Sequence, residues 1–319
     1  MTPFIFLLSG LFCLASAFLI YGLIPILKRF VLDKPNLRSS HVYPTPRGGG
    51  VVFVFLSLLS SCILLYTEFS SNSVFPLLIL VSLPLSIVGF LDDCFGISPS
   101  IRFCVQLGVS LFIIQLSPFE LVWFVFPLLA IAVSAVINFV NFMDGLDGLV
   151  AGCMAIVIAA LCIYLSAPWP LWALFGSLFG FLFWNWSPAK VFMGDVGSTY
   201  LGAIFSGLVL QAPNWPEALA CLLVATPLLG DALFCVIRRL FKGQRIFQAH
   251  RLHLFQRLNQ AGLPHAHVSS LYIAATAVLA FSLIFGGLLW VIPLAALELV
   301  LGIWLDQQVA VPFAVASRS

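Results

Sequence analysis

The feature that most restricts this chain is a succession of apolar runs, each long enough to cross a bilayer as a helix, with short polar stretches between them. A helix satisfies its own backbone groups inside hydrocarbon, so such runs have few other solutions. They fall near residues 4–26, 50–66, 74–91, 103–117, 120–137, 148–166, 170–186, 197–211, 217–236, 269–287 and 289–305. That pattern predicts an all-α polytopic integral membrane protein with about ten or eleven transmembrane helices. A soluble domain is excluded: 62% of the 319 residues are hydrophobic and 8% charged, too few polar groups to clothe a water-facing surface. Ala15-Ser16-Ala17 has the form of a cleavage site, but no basic residue precedes the first run, and Lys28 and Arg29 follow it. A retained first helix is therefore expected.

Basic residues stay on the cytoplasmic side of a membrane, and here they fall on one side of the predicted spans. Lys28, Arg29, Lys34, Arg38, Arg47, Arg102, Lys190, Arg238, Arg239, Lys242, Arg245, Arg251 and Arg257 all map to alternate loops, and Arg318 joins them if there are eleven spans. The opposite loops carry Glu68, Glu120 and Glu217. This places the N-terminus outside and the polar loops near 27–49, 92–102, 138–147, 187–196 and 237–268 in the cytoplasm, on a single domain spanning 1–319. The eight cysteines show no close pairing and read as small apolar residues.

All polar clusters map to that same face, as a catalytic site requires. In the first, Arg47 precedes Gly48, Gly49 and Gly50 where the second span opens, so backbone N–H groups and Arg47, with help from Arg38, could meet an anion. The second pairs Asp92 with Asp93; adjacent carboxylates repel unless a cation sits between them or one takes a proton. In the third, Asn138, Asn141, Asp144 and Asp147 follow at spacings of three, one stripe if the segment is helical, with Gly145 and Gly148 breaking the helix. Oxygen ligands on one stripe suit a hard cation such as Mg²⁺.

The fourth cluster runs from Asn185 to Ser198 and contains Asp195 between Gly194 and Gly197, a metal-ligand candidate. Lys190 reads as a snorkelling anchor, and Asp231, inside the ninth span, needs a partner such as Arg238 or Arg239. In the fifth, His250 and His253 flank Arg251 and suggest phosphate contacts or proton handling; a zinc pair lacks the cysteines or further histidines of a closed site. His41, His265 and His267 read as loop histidines. Together the clusters describe phosphoryl transfer between a soluble anion and a lipid.

Asp92-Asp93, the segment Asn138 to Gly148, Phe192-Met-Gly-Asp-Val-Gly-Ser198 and His250-x-x-His253, in this order, resemble the polyprenyl-phosphate N-acetylhexosamine-1-phosphate transferase family over nearly the whole chain. The resemblance implies transfer of a sugar-1-phosphate from a UDP-N-acetylhexosamine to undecaprenyl phosphate, with release of UMP and a requirement for Mg²⁺, or Mn²⁺ in its place. It implies a multi-pass enzyme of the bacterial inner membrane whose active site faces the cytoplasm.

By motif, Asn141 and Asp195 would hold the metal, Asp92 or Asp93 would deprotonate or orient the lipid phosphate, and Asp144 and Asp147 would bind nucleotide or support the metal. His250 and His253 complete the catalytic candidates, while Arg47, Gly48, Gly49, Arg102, Asn138, Asn185 and Arg251 are the expected substrate contacts. Arg102 stands where the peptidoglycan branch has lysine, and His250-Arg-Leu-His253 replaces its run of histidines. The glycine-rich first loop is similar to that of enzymes initiating O-antigen or related surface polysaccharides. The expected sugar is accordingly N-acetylglucosamine or a deoxy analogue such as N-acetylfucosamine.

Direct attack by the lipid phosphate and a two-step route through an aspartyl intermediate both fit these residues. No nucleic-acid partner is expected, and a homodimer is an open alternative to a monomer. Two other classes share some features. A transporter would show repeats and midplane polar groups, and an intramembrane aspartyl protease would need a first glycine that Met193-Gly-Asp195 lacks.

Overall fold

The computed structural model describes residues 3–35, 43–67, 73–244 and 250–317. Arg38, His41, Glu68, Arg245 and Arg318 lie outside the described residues. The chain begins with α1 (Pro3–Phe30) and a two-stranded antiparallel ribbon, β1 (Leu32–Asp33) against β2 (Thr45–Pro46). Next come α2 (Val51–Thr67), α3 (Phe75–Val81), α4 (Leu83–Phe95), α5 (Pro99–Gln115) and α6 (Val125–Phe142). They are followed by α7 (Leu149–Tyr164), α8 (Trp169–Asn185), α9 (Asp195–Val209), α10 (Trp215–Leu223) and α11 (Thr226–Phe241). The last elements are α12 (Leu254–Gln260), α13 (His265–Gly286), α14 (Leu288–Gln308) and α15 (Phe313–Ala316).

The protein is an all-α polytopic membrane protein. The first helix, the α3–α4 pair, α6, α13 and α14 are each long and apolar enough to span a bilayer. Shorter apolar helices α2, α5 and α7, of 17, 17 and 16 residues, stand among them. The expected ninth span, 217–236, is not one straight helix: α10 and α11 meet at 84°. The cause is local. Pro227 sits in the first turn of α11 and turns the preceding residues off the helical path, while the Thr226 hydroxyl donates to Leu223 O at 2.6 Å, satisfying a carbonyl the break exposes. Pro84 acts similarly at the α3–α4 junction, where Ser82 donates to Leu78 O.

Burial sorts the helices into an inner and an outer set. In α9 every residue from Val196 to Val209 is buried, as expected of a helix apolar on all sides. By contrast α1 and α14 turn large apolar side chains outward, among them Leu7, Phe18 and Leu289, exposed at 76%, 76% and 86%. In a bilayer these meet lipid rather than water.

Between helices, contact rests on small residues and buried hydroxyls, because apolar side chains gain little by leaving lipid. A Cβ on Gly176 or Gly180 of α8 would overlap the backbone oxygens of Ser9 or Cys13 in α1. Ser57 and Tyr200 share a 2.7 Å hydrogen bond between α2 and α9, and Ser110 and Ser134 one of 3.0 Å between α5 and α6. Substituting Gly180 by Val should therefore push α1 from α8 and cost about 1–3 kcal/mol, read as a lower unfolding midpoint in detergent. Gly10→Val, at a position where a Cβ meets nothing within 4 Å, should leave the midpoint nearly unchanged.

Candidate active site

Five chain segments meet at one end of the bundle: the β2–α2 turn, the end of α4 with the start of α5, the end of α6, and the loop that opens α9. Backbone bonds join the first and last. Phe192 N–H donates to Pro46 O (2.8 Å), Gly49 N–H to Phe192 O (2.9 Å) and Gly50 N–H to Met193 O (3.0 Å). This corrects one expectation. The amides of Gly49 and Gly50 are spent on neighbouring carbonyls, so they do not cradle an anion. These glycines serve close approach instead, since a Cβ on Gly50 would lie 2.7 Å from Gly197 Cα and one on Gly49 2.7 Å from Val191 Cγ2. Gly194 holds φ +77° and passes so near Asp93 that a side chain would strike its Oδ2.

The result is a carboxylate and amide centre. Asp195, first residue of α9, approaches Asn141 of α6 through Oδ2 and Nδ2 at 3.5 Å, and Ser198 donates to Asn141 Oδ1 at 2.6 Å. Arg102 of α5 pairs with both Asp92 and Asp195, the latter at 3.2 Å. Asp92 is further fixed by the Ile97 N–H. Asp93 differs from its neighbour: its Oδ2 is buried without a hydrogen-bond partner. Asp144 stands in the turn after α6, where burial and then the charge of Asp195 push its pKa up to about 7 while Arg47 pulls it down. Arg47 itself pairs with Asp33 at 2.6 Å and remains half-exposed.

The predicted stripe from Asn138 to Asp147 does not act as one. Because α6 ends at Phe142, its four polar side chains diverge. Asn138 makes a reciprocal amide pair with Gln106, at 2.9 and 3.1 Å, one turn deeper between α5 and α6. Asp147 lies beyond the centre, accepting from Ala189 N–H (3.2 Å) and facing His265 Nδ1 (3.3 Å), while Ser269 donates to its backbone oxygen. Burial opposes its ionisation, but His265, Ala189 N–H and Ser187 together hold the carboxyl below its ordinary range. His265 is thus no loop histidine; it opens α13 and ties that helix to the Asp147 turn. Asn185 is committed as well, accepting from Gly148 N–H (3.1 Å) and donating to Val191 O (3.0 Å), so it braces two loops rather than facing a substrate. Lys190 rests over the Trp184 ring, 5.3 Å from its centroid.

The histidine segment packs beside this centre, with the His253 ring 6.4 Å from that of Phe142. Asp231 finds its partners here and not in Arg238, which pairs with Asp306 at 2.9 Å. It accepts from Leu254 N–H (2.7 Å), Phe255 N–H (3.0 Å) and Tyr272 OH (2.8 Å), and lies 3.7 Å from His253 Nδ1. The start of α12 and Asp231 define each other because the helix's first amides need an acceptor and a buried carboxylate needs donors. Burial disfavours a charged His253, but Asp231 and Cys235 outweigh it and raise its pKa to about 9. Burial, His253 and Arg239 push His250 down to about 3. Arg251 offers its backbone oxygen to Gln260.

An all-α membrane bundle with such a polar centre at the mouth of its helices defines a membrane-embedded enzyme, and comparison with known proteins narrows the class. The family model for glycosyl transferase family 4 matches residues 75–212. The chain is 30% identical over 272 residues to a probable undecaprenyl-phosphate N-acetylglucosaminyl 1-phosphate transferase of Bacillus subtilis (strain 168), covering 76% of this chain and 74% of that protein. It is 30% identical over 313 residues to an undecaprenyl-phosphate alpha-N-acetylglucosaminyl 1-phosphate transferase of Yersinia pestis, covering 89% and 84%. It is also 30% identical over 279 residues to a phospho-N-acetylmuramoyl-pentapeptide-transferase of Acaryochloris marina (strain MBIC 11017), covering 74% and 72%. The chain belongs to glycosyl transferase family 4.

The raised pKa of His253 fixes a pH dependence. Its contribution to stability is complete below the imidazole's ordinary 6.5 and is lost as pH rises through about 9. Across that window the unfolding midpoint should fall, and Asp231→Asn should lower the midpoint at pH 6 and flatten the decline.

Proposed function

We propose that the protein transfers an N-acetylhexosamine-1-phosphate from a UDP-sugar to undecaprenyl phosphate, releasing UMP, at the cytoplasmic face of the bacterial inner membrane, and so initiates O-antigen or another surface polysaccharide. N-acetylglucosamine is the sugar we favour over a deoxy analogue, because it is the one named for the Bacillus and Yersinia relatives. The clustering of Asp93 and Asp144 with Asp195, which Asn141 and Arg102 contact, carries the reading. Such a set suits a diphosphate bound with a divalent cation.

The residues present fit Mg²⁺, or Mn²⁺ in its place. The donors are hard oxygens, Asp93 Oδ2 is buried without a partner, and the Asp144 pKa is raised by burial and then by the charge of Asp195, a charge a dication would offset. Asp195 and Asn141 are the ligands we assign. When bound, the ion would neutralise the diphosphate and the charge left on departing UMP.

In the reaction an oxygen of the lipid phosphate bonds to the sugar-side phosphorus while the bridge to UMP breaks. Asp93 is the better candidate to orient that lipid phosphate or take its proton, since Asp92 is fixed by Arg102 and Ile97 N–H. Arg102, one-third exposed beside Asp195, and half-exposed Arg47 are positioned to meet phosphate oxygens. Neighbouring Gly48 lets the backbone turn at φ +87°. Asn138 ties α6 to α5, whereas Asn185 and Asp147 hold the loops in place.

Purified protein with undecaprenyl phosphate and Mg²⁺ should release UMP from UDP-N-acetylglucosamine only when lipid is present, with UDP-N-acetylfucosamine and UDP-muramoyl-pentapeptide as comparison donors. Asp195→Asn should lower turnover by about 10²-fold or more. Wild-type turnover in that variant would remove Asp195 from the metal site, and lipid-independent release would overturn the reaction itself.

A further inference from the structure

Cys235 stands one turn beyond Asp231 on α11, where the chain segment carrying His250 and His253 crosses it. One potential ligand atom from each of Cys235, His250 and His253 lies within 4.8 Å of the other two. Around a tetrahedral zinc, with bonds near 2.3 Å to sulfur and 2.0–2.1 Å to nitrogen, such atoms sit about 3.4–3.6 Å apart. The cluster is thus about 1 Å from closing, within reach of small side-chain rotations. Cys235 and His253 are 5% and 3% exposed, and the two imidazoles stack with centroids 4.9 Å apart.

The surroundings are those of a ligand set. His253 turns Nδ1 toward Asp231 without hydrogen-bonding it, and Asp231 is held by Leu254 N–H, Phe255 N–H and Tyr272 OH. Its oxygens are therefore not free to ligate, and at 3.7 Å from Nδ1 the carboxylate stands where the orienting partner of a metal-binding imidazole would be, short of the hydrogen bond that a carboxylate–histidine–metal arrangement makes. Sulfur and imidazole donors select a soft divalent ion, whereas the neighbouring carboxylate and amide centre selects a hard one.

We propose that Cys235, His250 and His253 bind a thiophilic divalent cation of the zinc class, with a fourth position open to water or an anion. Binding displaces the thiol proton of Cys235 and a proton of His253 and joins both side chains to the metal. His250 gives up the 3.2 Å hydrogen bond its Nδ1 accepts from Leu252 N–H in either case, because ligation through Nδ1 uses that lone pair and ligation through Nε2 moves the ring proton onto Nδ1. The ion would fasten the 250–253 segment to α11 beside Phe142 and so restrain the end of α6 that carries Asn141. Occupancy would slow turnover. A site with three protein ligands and an open fourth position is suited to regulation or catalysis, not to permanent structure.

Co²⁺ serves as the probe on the purified full-length protein. One equivalent should produce a thiolate-to-cobalt charge-transfer band that Zn²⁺ abolishes, and Zn²⁺ should inhibit turnover at saturating Mg²⁺. Cys235→Ser should lose the band and the inhibition while keeping basal turnover, and Asp195→Asn should keep the band, which separates this site from the carboxylate centre. On the wild-type protein, Zn²⁺ should protect Cys235 from maleimide labelling while exposed Cys62 and Cys104 label as before. A band that persists in Cys235→Ser, or labelling of Cys235 unaffected by Zn²⁺, overturns the proposal.

Discussion

Crowding four carboxylates, Asp92, Asp93, Asp144 and Asp195, into one place is the constraint on which the rest depends. Like charges about 4 Å apart at an effective dielectric near 20 repel by about 4 kcal/mol, more than any single hydrogen bond returns. Asp195 is held against this by backbone. Its loop is laced to the β2–α2 turn by the Phe192, Gly49 and Gly50 amides, and it lies so close to α4 that a Cβ on Gly89 would meet Asp195 O. Arg102 then supplies the positive charge, bridging Asp92 and Asp195. The buried α9 behind them, with Tyr200 tied to Ser57, gives that loop a fixed base.

Much of the fold was legible because hydrocarbon admits so few backbone solutions. Each predicted run has a helix, or a pair of helices, at its place, and the first run is a continuous helix packed on α8. What hydropathy could not register was direction. The run at 217–236 has the composition of a straight span, yet Pro227 and Thr226 turn it through 84°. Proline in an apolar run is compatible with a kink, a helix start or nothing at all, and only the packing around it decides.

At the site, residue chemistry was easier to read than partnership. Asp92, Asp93, Asn141, Asp144 and Asp195 were singled out as polar groups too expensive to sit idle in a membrane protein, and the structure brings them together. Asn138, Asn185 and Asp147 were singled out on the same ground, but their atoms are consumed by Gln106, by Gly148 and Val191, and by His265 and Ala189. Sequence spacing cannot separate a side chain that meets a ligand from one that braces a loop, because both are polar and buried. His265 and Cys235 were passed over for the complementary reason. Their partners are 118 residues back, at Asp147, and 15 or more residues on, at His250 and His253, distances that no local motif spans.

The C-terminal end of the described chain adds an ordering in time. Phe313 sits among Arg238, Lys242 and Arg257, with ring-to-cation distances of 5.1, 4.5 and 5.7 Å, and Val311 exchanges backbone and side-chain hydrogen bonds with Arg257. Arg257 in turn pairs with Asp306. Asp306, Val311 and Phe313, the three partners of Arg257 named here, are all synthesised after it. Residues 250–257 therefore leave the ribosome with Asp231 already made to receive the Leu254 and Phe255 amides, but before the groups that hold Arg257 exist, so the packing around Arg257 is completed only after the membrane helices that carry the carboxylates have been made.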